Sequence, residues 1–315
     1  MIVALAGGVG GAKLAHGLYG ILGSGELSVV VNTADDFDLY NLRICPDADT
    51  VLYTLAGIAN PETGWGVAGD TFATLEMLRR YGEDTWFALG DRDFATHIQR
   101  TARLRAGWTP TQVLRAFAEA LGVRAELLPM CDEPVATVVQ TPEGELPFQD
   151  YFVRRHHQDA VVGVRFDGIE RARISEPVRD ALRRADAVIF CPSNPIVSLG
   201  PILSVPEMRA LLREVAVPRV AVSPIVGGRA LRGPADRMLA GLGYDVSPLG
   251  VANLYRDVIS GLVIDQADAR YAPEIEALGL RVLVADTVMG DFGARQRLAD
   301  EALRFAAGLR AQGAP

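Results

Sequence analysis

Two clusters near the start of the chain have the residue types and spacing that phosphate chemistry needs. The first is Gly7-Gly8-Val9-Gly10-Gly11, directly after the apolar run Ile2 to Ala6. A turn without side chains lets backbone N–H groups approach phosphate oxygens, and a helix N-terminus behind it favours negative charge. Gly8, Val9 and Gly10 are the candidate contacts. The spacing is not that of a dinucleotide fingerprint, because Lys13 stands where the third glycine would fall. That argues against a nicotinamide-dependent dehydrogenase. It is not a Walker A loop either, since Lys13 lacks the Gly-Lys-Ser/Thr context. A plain strand-to-helix turn would use the same glycines. A phosphate loop predicts that Gly10→Val weakens anion binding far more than it lowers stability; a structural turn predicts the reverse.

The second cluster is acidic. Asn32, Asp35 and Asp36 close an apolar run, and Cys45-Pro46-Asp47-Ala48-Asp49-Thr50 follows. Carboxylates so spaced can hold Mg²⁺, which binds through one or two carboxylates plus substrate phosphates. The same residues serve local structure equally well, Asp49 capping a helix that opens at Thr50 and Asp47 making a turn. Further on, Gly90-Asp91-Arg92-Asp93 precedes a helical stretch carrying His97. Arg92 can grip a phosphate or a polar ring edge, Asp93 reads as an N-cap, and His97 is a base or, more often at such positions, a packed histidine. Pro192-Ser193-Asn194-Pro195 is a stiff loop presenting two hydrogen-bonding side chains.

These groups need a frame. Ile2 to Ala6 and Leu27 to Val31 read as doubly covered strands, with Leu14, Leu18, Ile21 and Leu22 forming one face of a helix between them. That is a βαβ opening with parallel strands. From about 70 to 125 only helices are expected (71–80, 94–106 and 110–121), a helical insertion beside the sheet. Residues 135–140 and 146–148 suggest a hairpin. Strands resume at 187–191, 220–222, 262–264 and 282–285, with helices near 206–214 and 293–309. The expectation is a single α/β domain over 1–315, a mostly parallel doubly wound (Rossmann-like) sheet. Its polar residues collect beyond the C-terminal strand ends, where open α/β sheets bind ligands.

Composition narrows the function classes. The net charge of -8 disfavours general nucleic-acid binding, which needs a basic stripe. Cys45, Cys131 and Cys191 lie far apart, so no zinc pattern forms and a reducing, cytoplasmic setting is expected. No apolar stretch approaches the ~20 residues of a membrane span. A homodimer is the common assembly for soluble enzymes of this size.

Taken in order, these segments resemble the 2-phospho-L-lactate transferase family. The likeness runs from Ala6-Gly7-Gly8-Val9-Gly10-Gly11-Ala12-Lys13 to Val284-Ala285-Asp286-Thr287 and includes Val30 to Asp36, Ile44 to Val51, Gly64-Trp65-Gly66, Gly69 to Phe72, Gly90 to Asp93 with Ala95-Thr96-His97, Leu128-Pro129-Met130, Phe148-Gln149-Asp150, Pro192 to Pro195 and Ser223 to Gly227. The resemblance implies a transferase of coenzyme F-420 biosynthesis. Its donor would be a guanosine diphosphate bearing a hydroxyacid, and its acceptor the deazaflavin alcohol Fo. The ribityl hydroxyl would attack the phosphorus beside the hydroxyacid, GMP would leave, and Mg²⁺ would assist. The resemblance assigns Asp36 and Asp49 to metal and catalysis, with Asp49 and Arg92 near the deazaflavin. Gly8, Val9, Gly10, Asn32, His97, Ser193 and Asn194 fall to substrate binding. Asp49→Asn is then expected to lower turnover ~10²-fold or more with stability nearly unchanged. Non-catalytic, nucleotide-sugar-binding regulators of the same fold are the alternative; Cys45 to Thr50, Gly90 to Asp93 and Pro192 to Pro195 favour the transferase.

Overall fold

A computed structural model of the chain describes residues 1–311. Seven parallel strands form the central sheet in the order Arg281–Ala285, Gly261–Asp265, Arg219–Val222, Ala187–Phe190, Ile2–Ala6 (β1), Leu27–Val31 (β2) and Glu126–Pro129. Alternation along the strands feeds two cores. Val3, Leu5 and Val30 point to one face and Ala4, Ala6, Val29 and Val31 to the other. This is the doubly wound α/β architecture expected from the apolar runs.

The strand order reverses between β1 and Ala187–Phe190. From β1 the chain passes through helix α1 (Gly8–Ile21) to β2 on one side, while Ala187–Phe190 lies on the other. The loops leaving these two neighbours diverge and open a crevice at their C-terminal ends. The glycine turn and Pro192-Ser193-Asn194-Pro195 are those two loops.

Between β2 and Glu126–Pro129 come a short hairpin, Phe37–Leu39 with Leu42–Ile44, and helices α2 (Pro46–Leu55), α3 (Ala73–Arg80), α4 (Asp91–Arg105) and α5 (Pro110–Ala120). Beyond the sheet edge, Ala136–Thr141 pairs antiparallel with Gly144–Pro147 and Gly163–Asp167. The C-terminal helix Phe292–Ala311 lies against α1. Gly17 permits that approach: a Cβ there would stand 2.2 Å from the Arg295 carbonyl oxygen.

Several helix starts differ from the sequence reading. Helix α1 begins at Gly8, inside the glycine cluster. Helix α2 begins at Pro46 rather than Thr50, with proline in its first turn, where its missing N–H costs nothing. Asp47 and Asp49 are therefore in the helix, and Asp49 is not its cap. Asp93 is likewise inside α4, whose N-cap is Gly90.

Candidate functional site

The two crevice loops are welded together by the residues singled out in the sequence. The Gly7 N–H donates to Ser193 Oγ at 3.1 Å. Gly8, at φ +60°, donates its N–H to Asp47 Oδ1 at 2.8 Å. Asn32 Nδ2 donates to Asp47 Oδ2 at 2.9 Å and to the Val197 carbonyl at 3.2 Å. Asn194 Oδ1 accepts from the Ile196 and Val197 amides, so its side chain shapes its own loop. The amides of Val9 and Gly10 occupy the N-terminal turn of α1, where no intrahelical acceptor exists.

Packing corrects the expectation for Gly10. A Cβ at Gly10 would meet the Pro192 carbonyl oxygen at 2.3 Å, and one at Gly11 would meet Ser193 Oγ at 2.4 Å. Backbone on one side and backbone on the other leave no room to yield. Gly10→Val should therefore destabilise the fold by about 1–3 kcal/mol or more, as overpacking does. The check is the midpoint of urea unfolding; an unmoved midpoint would return Gly10 to a purely ligand-facing role.

The acidic residues divide between two environments. Asp35 and Asp47 are buried beside one another near the glycine turn. Burial raises both carboxyls, Asp47 to about 6, and the Asp47 charge pushes Asp35 further up. Thr137 Oγ1 donates to Asp35 Oδ1 at 3.1 Å. Asp36 lies beyond them, its Oδ1 buried without a partner and its Oδ2 3.8 Å from Arg43 Nη2. Burial raises the Asp36 carboxyl to about 7 despite the opposing pull of Arg43.

Asp49 turns the other way, toward α4. Both of its oxygens are held by Arg100, through Nη2 to Oδ1 and through Nη1 to Oδ2 at 3.0 Å. Arg100 Nη1 also lies 3.0 Å from His97 Nδ1. Because guanidinium only donates, His97 Nδ1 accepts and Nε2 carries the proton. That Nε2 faces Asp93 Oδ1 at 3.2 Å, off hydrogen-bond geometry. The Tyr53 hydroxyl donates to the same Asp93 oxygen at 2.7 Å. Asp49, Asp93 and His97 place three ligand atoms within 4.8 Å of one another, a grouping that could hold a metal ion once His97 releases Arg100 or its Nε2 proton. Arg100 is the central residue that the sequence reading missed. Its signal was present: Asp93, His97 and Arg100 recur at i, i+4 and i+7, one face of α4.

Two cavities flank this network. One, of about 220 Å³, is lined by Asp36, Arg43, Cys45 and Arg100 with apolar walls from Val113 and Leu114. The other, of about 430 Å³, is lined by Tyr53, Ile58, Val67, Arg92 and Thr96. Arg92 is exposed, its Nη1 donating to the Ala68 carbonyl and its N–H to Asp70. Arg92 and Asp36 therefore line different cavities, joined through Tyr53, Asp93, His97 and Asp49.

The chain is similar to known proteins over nearly its full length. The Streptomyces griseus phosphoenolpyruvate transferase is 41% identical over 319 residues, covering 98% of this chain and 99% of that protein. The Methanosarcina barkeri 2-phospho-L-lactate transferase is 41% identical over 299 residues, covering 95% and 96%. In fold, the chain matches a Bacillus halodurans protein of the upf0052 family at TM-score 0.60 and 14% identity, covering 96% of this chain and 98% of that one. No helix among the described residues is long and apolar enough to cross a membrane. The family model for 2-phospho-L-lactate transferase CofD matches residues 2–289, and the chain accordingly belongs to the CofD family of transferases.

Proposed function

We propose that the protein transfers a phospho-hydroxyacid group, phospholactyl or its enolpyruvyl counterpart, from a guanosine diphosphate carrier to the ribityl hydroxyl of Fo, releasing GMP. Family membership supports the reaction class. The observation that carries the finer reading is that the first turn of α2 serves both places, Asp47 bonding the glycine turn and Asp49, two residues on, pairing with Arg100, which lines the 220 Å³ cavity with Asp36.

The residues present fit a hard cation. Asp36 Oδ1 is a buried acceptor with no donor. Asp49 has lone pairs to spare, since a carboxylate offers about four acceptor sites and Arg100 uses two. Asp36 and Asp49 would hold Mg²⁺, which when bound neutralises donor phosphate charge. The chain's own groups do the rest. Val9 and Gly10 present free amides to the donor phosphates, while Ser193, Asn194 and Asn32 keep that turn rigid. Arg92 and Tyr53 bound the cavity that takes the acceptor. Asp49 accepts the hydrogen bond of the attacking hydroxyl and takes its proton. His97 and Arg100 fix the Asp49 carboxylate in place. In the transfer the ribityl oxygen bonds to the phosphorus bearing the hydroxyacid. The bond from that phosphorus to the bridging oxygen breaks, and its electron pair leaves on GMP.

Supplying Fo with each guanylated donor in turn tests this, with products weighed by mass spectrometry. GMP release that requires Fo and yields the phospho-hydroxyacyl deazaflavin is expected. GMP release independent of Fo indicates a hydrolase and removes the proposal.

A further inference from the structure

Lys13 is the only lysine in a chain with 31 Lys and Arg residues. It lies one helical turn past Val9 on α1, and helical side chains lean toward the N-terminus, so it leans over the free amides of the glycine turn. Its Nζ donates to the Met289 carbonyl at 3.2 Å, in the loop before the C-terminal helix. Two more cations close around it. Arg295, from that helix, places Nη1 3.0 Å from His16 Nδ1. Arg232 donates from Nη1 to the Thr63 carbonyl at 2.6 Å. That same Nη1 and Val9 Cγ1 both press on Gly64, at 3.1 and 2.8 Å from where its Cβ would stand. Arg232, Val9 and Lys13 therefore share one patch.

What sets this trio apart is that three cations meet at one place beside a helix N-terminus. None of the three forms an ion pair among the described residues, in a protein of net charge -8. Arg295 Nε is buried with no partner. Asp291, whose charge reaches Arg295, spends Oδ1 on the Ala294 amide. Burial, then Arg232 and Arg295, push the Lys13 ammonium below its ordinary value. Burial and Arg295 drop His16 to about 4, so it stays neutral and accepts from Arg295. Three mutually repelling cations held together with no carboxylate at ion-pair distance favour a polyanion between them.

We propose that Lys13, Arg232 and Arg295, with the Val9 and Gly10 amides, form the seat of a nucleotide phosphate: the one that departs when the phosphorus–oxygen bond breaks. The seat neutralises the charge gathering on that leaving oxygen. The departure of this phosphate and the identity of its nucleotide, a guanosine phosphate, rest on the transferase reading; the phosphate seat itself does not.

The test is titration calorimetry of the full chain with GDP, GMP, guanosine and inorganic pyrophosphate. Lys13→Gln and the surface change Arg232→Gln should each weaken GDP and GMP ten-fold or more, while guanosine affinity holds and pyrophosphate affinity falls in parallel. Lys13→Arg, which keeps the charge, should retain much of the affinity. Folded Lys13→Gln and Arg232→Gln proteins that bind GDP within two-fold of wild type overturn the seat, as does a wild-type protein with no affinity for GDP or pyrophosphate. Lysine- and arginine-dependent GDP binding in a protein that transfers nothing to Fo leaves the seat standing and removes the transferase reading instead.

Discussion

Asp49→Asn should lower turnover ~10²-fold or more and also destabilise the protein by about 3–5 kcal/mol. The first effect follows from the proposed role, since a positioned base or charge stabiliser is worth that much. The second follows from Arg100. Both Asp49 oxygens are committed to its guanidinium, and Arg100 is 4% exposed. Removing one partner strands the other as a buried, uncompensated charge, the costly way to break such a pair. Stability nearly unchanged, expected from the sequence, does not survive this geometry. Arg100→Met separates the effects. Alone it strands Asp49; combined with Asp49→Asn it removes both charges and should recover much of the lost stability without recovering turnover. Chemical denaturation of the four proteins, read beside initial rates, gives the coupling. A Mg²⁺ titration then separates the roles of Asp49, because a raised requirement in Asp49→Asn marks a metal ligand. Near wild-type turnover at saturating Mg²⁺ and Fo would take Asp49 out of the chemistry.

The contrast shows which parts of the molecule were readable in the chain. The sheet was readable because doubly covered strands are nearly continuous apolar runs; Ile2–Ala6 and Ala187–Phe190 are unbroken, and Leu27–Val31 and Gly261–Asp265 are interrupted only by Ser28 and the terminal Asp265. The crevice loops were readable because each follows one of these strands. Contacts across long separations were not. Nothing local tells that Asp49 meets Arg100, or that the Gly10 backbone lies against Pro192. Those contacts are set by side chains that reach between α4 and α2 and by the pairing of β1 with Ala187–Phe190. The start of α2 was misplaced for a local reason: proline reads as a break, yet at the first helical position its fixed φ suits the helix. Asp47 illustrates the cost of that misreading. Open in the sequence between a metal-holding carboxylate and a turn residue, it joins Gly8 to Asn32 from within a helix.

Asp36→Asn should lower turnover ~10²-fold or more yet stabilise the protein at pH 8. Asp36 is largely buried, its Oδ1 lacks any donor, and burial raises its carboxyl to about 7. The unfolded carboxyl titrates near its ordinary value of 3.8. Between those values the native protein holds a proton that the unfolded chain has released, so stability falls as pH rises. The contribution is fully present below about pH 4 and lost as pH passes 7. Above 7 the wild type carries a buried charge that Arg43, 3.8 Å away, compensates only in part, and Asn removes it. The variant should therefore unfold at higher denaturant than wild type at pH 8, by on the order of 1–3 kcal/mol. The difference should shrink as pH falls through 7 and be smallest below about pH 4, where Asp36 is protonated in both the native and the unfolded chain. Asp35 and Asp47 titrate in the same direction but remain in both proteins, so the comparison isolates Asp36. Turnover should fall ~10²-fold or more at every pH, because the orphan oxygen that fits a hard cation is gone. Mg²⁺ supplies an independent arm: added at pH 8 it should raise the unfolding midpoint of the wild type and leave that of Asp36→Asn unmoved. An Asp36→Asn protein less stable than wild type at pH 8 would mean that the ionised carboxylate is well compensated in the native state. Equal Mg²⁺ stabilisation of both proteins would place the cation elsewhere, with the Asp49, Asp93 and His97 group the next place to look.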